Sequence, residues 1–319
     1  MNTVIMDGSA ANPGDISWAP LEGFGTLTVY DTTSEDQIID RCKDADMVIT
    51  NKTPFKRKTL ESLPKLRYIG VLATGFNVID LDCCRERGIA VTNVPEYSTY
   101  ATAQMAIALL LEMTNSVALH SSSVHDGDWV RSDQFCYWKM PLTELLGKKV
   151  AVVGYGKIGQ RVSAILSSMG ASVIAVPRVM PEDPASFAPV RFMTLEEAAP
   201  VADIITFHCP LTPDTEGIIN RSLLQKCKKG VLIVNAARGG LCNEADMRSA
   251  LEEGLVGGYA ADVVSVEPMK ADNPLLHAPN CILTPHIAWA AKETRVRLID
   301  IAADNIRSFL AGGDLNRIC

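Results

Sequence analysis

The chain has 319 residues, 47% hydrophobic and 21% charged, with a formal net charge of -7. At roughly 100–200 residues per domain, that length predicts about two domains with sizeable cores, and the composition excludes wholesale disorder. The negative balance opposes a surface that must neutralise phosphate backbones, so no nucleic-acid partner is expected. The first residues, Met1-Asn2-Thr3-Val4-Ile5-Met6-Asp7, carry no basic n-region, and the most apolar window, 105–111, is too short to cross a bilayer. A soluble, cytoplasmic protein with no membrane role is the expectation. Its nine cysteines, Cys42, Cys83, Cys84, Cys136, Cys209, Cys227, Cys242, Cys281 and Cys319, form no C-x-x-C pair, and no His cluster joins them. They predict reduced thiols, with neither a disulfide framework nor a metal site.

In chain order, strand-like runs at 3–6, 27–30, 47–50, 68–71 and 89–92 alternate with helix-like pieces, one opened by Ser34 and one closed by Gly88. They predict a small α/β unit. Residues 99–114 read as one long helix, apolar on most faces and therefore buried. The stretch 120–146, with Trp129, Phe135, Tyr137 and Trp138, reads as an irregular arm or interface segment, because aromatics concentrate at interfaces. A second strand series follows at 150–153, 172–176, 203–207, 231–235, 258–261 and 281–284. Helices between these strands are opened by Thr194-x-x-Glu197, Asn220 and Asn243. Such alternation predicts a doubly wound parallel sheet. The last helix, 291–310, has no strand partner, so it is expected to return to the first unit and make it discontinuous.

Val150-Ala151-Val152-Val153-Gly154-Tyr155-Gly156-Lys157-Ile158-Gly159 is an apolar strand running through G-x-G-x-x-G into a helix. Gly154 suits the tight turn, Gly156 lets backbone approach a pyrophosphate, and Gly159 lets helix and strand pack closely. The helix N-terminus then offers backbone N–H groups and its dipole to the phosphates. A dinucleotide site is expected at this loop. An NAD site wants Asp or Glu at the tip of the next strand for the ribose hydroxyls. This chain has Val176-Pro177-Arg178 there. Without the carboxylate a 2′-phosphate is not repelled, and Arg178 can pair with it, so NADP(H) is favoured over NAD(H). The alternative for Arg178 is an ordinary surface arginine.

Three further segments each follow a strand: Asn235-Ala236-Ala237-Arg238-Gly239, Asp262-Val263-Val264-Ser265-Val266-Glu267-Pro268 and Pro285-His286-Ile287-Ala288-Trp289. Ligands bind outside the carboxyl ends of parallel strands, so an Arg, an acid and a His converge there. With Gly154 to Gly159 and His208-Cys209-Pro210-Leu211-Thr212, these motifs resemble the D-isomer-specific 2-hydroxyacid dehydrogenase family over nearly the whole chain. Within it, Ala73-Thr74-Gly75, Phe135-Cys136-Tyr137-Trp138-Lys139 and residues 285–289 are similar to glycerate dehydrogenases (hydroxypyruvate reductases). The resemblance implies two Rossmann-like domains. Residues 1–98, completed by 287–319, would bind substrate; 99–286 would bind NAD(P) and include a dimerisation arm near 120–146. It also implies a homodimer and an Arg–Glu–His active site.

Reducing a 2-oxo acid needs a cation for the carboxylate, a hydride, and an acid for the developing alkoxide. Arg238 suits the first task, a planar bidentate one. His286 suits the last, titrating near working pH, and Glu267 would hydrogen-bond its imidazole and favour the protonated form. By resemblance, Asp262 holds the nicotinamide carboxamide and Thr102 lies beside the ring. Tyr155, Lys157, Ile158, His208, Cys209, Pro210, Ala236, Ala237 and Ala288 would line the cofactor, and the backbone of Thr74 and Gly75, with Ala73 beside them, would receive the substrate carboxylate, an ordinary turn being the alternative. Lys52 and Trp289 are weaker candidates for the substrate pocket; a surface lysine and a core aromatic are the alternatives. The expected reaction is reduction of hydroxypyruvate or glyoxylate to the D-2-hydroxy acid. Rival readings are a 3-phosphoglycerate dehydrogenase, disfavoured because the chain runs out after its final helix, and a non-catalytic dinucleotide sensor of the same fold.

Overall fold

Short β-branched runs set between capped helices fold here as two parallel sheets, in a computed structural model that describes residues 1–187 and 189–319. Two compact units divide the chain, Met1–Ser98 with Trp289–Cys319, and Thr99–Ala288.

The smaller unit holds β1 (Asn2–Ile5), β2 (Thr26–Val29), β3 (Met47–Thr50), β4 (Tyr68–Val71) and β5 (Ala90–Thr92), in the order β2-β1-β3-β4-β5, all parallel. Successive side chains of a strand face opposite sides, so each strand feeds two cores. Val4, Val48 and Ile69 pack with Phe55, Leu60 and Cys83 on one face. Ile5, Met47, Ile49 and Tyr68 pack on the other against Leu298, Ile299, Ala302 and Ile306 of the helix Lys292–Leu310. That helix is pinned by Arg295, whose buried guanidinium donates two 2.7 Å bonds to the carboxylate of Asp15. The pairing lowers the pKa of Asp15.

The larger unit holds β6 (Lys149–Val153), β7 (Ser172–Val176), β8 (Arg191–Phe192), β9 (Ile204–Phe207), β10 (Val231–Asn235), β11 (Val256–Ala261) and β12 (Cys281–Leu283). Their order is β12-β11-β10-β9-β6-β7-β8, again all parallel. Strand order reverses at the β6–β9 neighbour pair, the crevice where open α/β sheets bind ligands. The long helix Thr99–Asn115 buries Ala103, Ala106, Ile107 and Leu110 beside Val162 and Leu166 of the helix Lys157–Ser168.

Two local expectations fail. β8 was not foreseen, because a two-residue edge strand leaves no alternation to read. The segment expected to be irregular from residue 120 is helical at its start, within Val117–His125. Ser123 is that helix's one buried residue, so no apolar stripe announces it. Beyond it the arm is open to solvent, with Val130 88% and Phe135 89% exposed. All nine cysteines are free thiols. Among the described residues no single helix is long and apolar enough to cross a membrane, and no cluster of His, Cys, Asp or Glu could hold a metal ion.

Candidate active site

At the end of β6 the chain turns through Gly154, whose φ of +91° is a glycine conformation. A Cβ there would also lie 2.5 Å from the Cys209 nitrogen and 2.6 Å from the His208 carbonyl carbon. The turn is thereby seated on the loop after β9, where the His208 N–H donates to Val153 O at 2.7 Å. A Cβ on Gly159 would run into the Gly154 carbonyl, whereas one on Gly156 would meet nothing within 4 Å. Gly156 opens the helix Lys157–Ser168 without a side-chain cap. A close turn, an open approach and an uncapped helix start together fit a dinucleotide pyrophosphate.

Tyr155 sets its ring edge-on against Phe192 of β8 at 5.3 Å. His208 is half-buried; its Nε2 lies 2.9 Å from the Thr206 hydroxyl, while its Nδ1 is sealed from solvent with no hydrogen-bond partner among the described residues. Burial therefore lowers its pKa to about 4. The tip of β7 is tied to the glycine turn by Gly154 N–H donating to Val176 O at 2.9 Å. Two residues on, Arg178 is exposed and makes no ion pair or hydrogen bond among the described residues. Thr102 lies buried in the long helix.

The acid, base and cation candidates sit on the loops after β10, β11 and β12. His286 Nδ1–H donates to Glu267 Oε2 at 2.6 Å, and Glu267 Oε1 accepts the Val264 N–H at 3.3 Å. His286 has a φ of +55°, and its own N–H donates to Asp262 O at 2.8 Å. The Asp262 side chain holds the same turn: Oδ1 accepts the Thr284 hydroxyl at 2.6 Å and the Ile287 N–H at 2.9 Å, and Oδ2 accepts the Ala288 N–H at 2.7 Å. Asp262 is 1% exposed. Arg238 is exposed, folding one nitrogen back onto Ala237 O at 2.7 Å. The following Gly239 lies so close to the Val264 backbone that a Cβ would collide with it, which locks the Arg238 and Glu267 loops together.

In the smaller unit, the carboxylate of Asp7 accepts the N–H groups of Asn51 at 2.8 Å, Lys52 at 2.6 Å and Thr53 at 2.8 Å. Asn51 in turn donates to Leu72 O at 2.6 Å, joining the Lys52 loop to the turn at Ala73-Thr74-Gly75. That turn is held by the Thr74 hydroxyl on Val94 O, by Asn93 Nδ2 on Thr74 O, and by Val94 N–H on Ala73 O. The N–H groups of Thr74 and Gly75 take no part in these bonds. Lys52 is exposed, and its ammonium makes no ion pair or hydrogen bond among the described residues. Trp289 packs at the edge of the smaller unit's core, 6.4 Å from the Tyr97 ring.

The NAD-binding-domain model of the D-isomer-specific 2-hydroxyacid dehydrogenases matches residues 107–288. The chain belongs to that family. It is 46% identical to a hydroxypyruvate reductase of Blautia hydrogenotrophica over 99% of both chains. It is 36% identical to a glycerate dehydrogenase of Methylorubrum extorquens over 90% of both. An acyclic imino acid reductase, solved in complex with NADPH and D-Arg, superposes with a TM-score of 0.85 at 26% identity over the full length of both chains.

In this D-2-hydroxyacid dehydrogenase, sequence reasoning missed the carboxylates that hold loops. Asp7 is one. Glu244 is another: it accepts the Ser265 N–H and hydroxyl, both at 2.7 Å, and Asn273 Nδ2 at 2.9 Å, bracing the loop two residues before Glu267. The clamp of Asp262 on the His286 turn is the third. Their partners lie at least 20 residues away along the chain, so no local spacing marks them.

Proposed function

We propose that this dehydrogenase reduces a small 2-oxo acid, hydroxypyruvate or glyoxylate, to the D-2-hydroxy acid with NAD(P)H. The observation that carries the reading is the 2.6 Å bond between His286 Nδ1 and Glu267, one loop away from Arg238. When bound, the reduced nicotinamide supplies the hydride. Arg238 holds the substrate carboxylate through its planar fork, which a lysine would do poorly. With Nδ1 engaged by Glu267, His286 presents Nε2 and gives its proton to the oxygen that becomes the hydroxyl. Glu267, accepting the Nδ1–H, fixes the ring in the orientation that presents Nε2. His286 then regains a proton from solvent.

The smaller unit serves as the substrate domain. Thr74 and Gly75 offer backbone N–H groups to the carboxylate, with Ala73 and Lys52 beside them. Trp289, seated on that unit's core, is its further candidate for substrate contact. The larger unit holds the dinucleotide with the loop from Gly154 to Gly159, with Thr102, His208, Cys209, Pro210, Ala236, Ala237, Asp262 and Ala288. NADPH is preferred to NADH, supported by the uncommitted Arg178 and the absence of an acid at the β7 tip. The active form is a cytoplasmic homodimer joined through the arm. Its exposed Val130, Phe135 and Trp138 make an apolar surface of the kind that marks protein interfaces. Initial rates with NADPH and NADH against hydroxypyruvate, glyoxylate, pyruvate and 3-phosphohydroxypyruvate test the reading. Highest kcat/KM with NADPH and one of the first two acids is expected, and no turnover of any would refute it. Sedimentation at micromolar concentration tests the dimer.

A further inference from the structure

We infer that Asn235 is a positioning residue for Arg238: one fully buried amide, at the end of β10, fixes the backbone from which the substrate-binding cation projects. The inference rests on the role proposed above for Arg238. Asn235 is 0% exposed. Its Oδ1 accepts the Ala237 N–H at 3.1 Å, and its Nδ2 donates to the Arg238 carbonyl oxygen at 2.9 Å. The two bonds hold the Ala236–Ala237 and Arg238–Gly239 peptides, one on each side of the Ala237–Arg238 peptide, so they fix the direction in which the arginine leaves the strand.

The same residue reaches sideways. Its Nδ2 lies 3.4 Å from the hydroxyl of Tyr259, which is wholly buried on the neighbouring β11. Burial raises the pKa of that phenol well above the ordinary value, so it stays neutral. The Asn235 carbonyl oxygen accepts the Asp262 N–H at 3.1 Å, and Asp262 is the residue whose carboxylate holds the His286 turn. Asn235 is thus the shared footing of the loop that carries the cation and the loop that carries the acid.

The residue type follows from the geometry. The position needs an acceptor and a donor on one short side chain. Aspartate keeps the acceptor for Ala237 but sets a second oxygen against the Arg238 carbonyl, and buries a charge. Glutamine adds a methylene at a fully buried position and moves the amide off both partners. Alanine leaves the Ala237 N–H and the Arg238 carbonyl without their partner.

A double-mutant cycle separates positioning from simple destabilisation, because residues that act through one group are not additive. Asn235→Asp, Arg238→Ala and the double variant are compared with wild type by kcat/KM for hydroxypyruvate with NADPH, alongside thermal unfolding. Asn235→Asp alone is expected to lower kcat/KM by about 10- to 100-fold, the effect of a lost buried hydrogen bond. In the Arg238→Ala background the same change is expected to cost less than about threefold. Should the aspartate variant fail to fold, Asn235→Ala, which buries no charge, is read by the same cycle. Near-normal activity of the folded single variant, or a loss that adds in full on Arg238→Ala, would overturn the inference. A wild-type chain that turned over no 2-oxo acid would instead overturn the proposed function.

Discussion

The carboxylate of Asp262 accepts the N–H of Ala288 at 2.7 Å, two residues beyond His286, and so closes the turn that presents the imidazole. With the Thr284 hydroxyl and the Ile287 N–H on its other oxygen, this buried side chain holds three groups around the histidine. Asp262→Asn would set an N–H donor against one of those N–H groups. A fall in kcat of about 10- to 100-fold is expected, the effect of losing a charge-assisted buried hydrogen bond. Steady-state rates at saturating cofactor check it. Unchanged kcat would mean that the turn is held without Asp262.

Glu267→Gln keeps the shape of the side chain and removes its charge. The amide is a weaker acceptor for Nδ1–H than the carboxylate, so the ring is held less firmly in the orientation that presents Nε2. Reduction is expected to slow about tenfold or more. Steady-state kcat for reduction reads this directly. A wild-type kcat in the folded variant would remove Glu267 from the acid's support.

Arg178 and Pro177 test the cofactor preference. A charged hydrogen bond to a phosphate contributes about 1.5–3 kcal/mol, so Arg178→Ala is expected to weaken NADPH use by about 10- to 100-fold and to spare NADH. Pro177→Asp supplies a ribose-hydroxyl acceptor that repels phosphate, and should turn preference toward NADH. Parallel kcat/KM values for both cofactors are the measurement. Equal losses in Arg178→Ala would assign Arg178 to the fold or to the adenine.

His208 gives the apo protein an acid-sensitive element. Its folded-state pKa, about 4, lies below the ordinary 6.5, so the unfolded chain takes up the proton first as pH falls. The associated stability is present above the unfolded value and is lost as pH drops from about 6.5 towards 4, up to about 3 kcal/mol. His208→Asn should therefore show a shallower fall in Tm between pH 7.5 and 4.5 than wild type. Identical slopes would mean that His208 is hydrated in solution.

Much of this architecture is legible locally. Strands such as β4 and β10 are continuous apolar runs, the Thr194–Glu197 capping box and the Asn220 and Asn243 caps stand where the sequence marks them, and the glycine loop follows its strand directly. What stays hidden has a common cause. β8 and the helix Val117–His125 bury too little to impose a period on the sequence. Asp7, Glu244 and the Asp262 clamp depend on polar contacts between distant segments, which leave no spacing to read. Asn235 was legible as part of its motif, but its work, holding Arg238 and facing Tyr259, appears only once β10 and β11 lie side by side.

Proton donation by His286 in reduction of a 2-oxo acid is tested by comparing wild type with His286→Ala in NADPH-dependent turnover of hydroxypyruvate, with cofactor affinity measured in parallel. A positioned general acid commonly supplies 10²–10⁴, so the variant should turn over at least ~100-fold more slowly while binding NADPH nearly as well as wild type. Turnover close to wild type in a folded, cofactor-binding variant would exclude His286 as the proton donor.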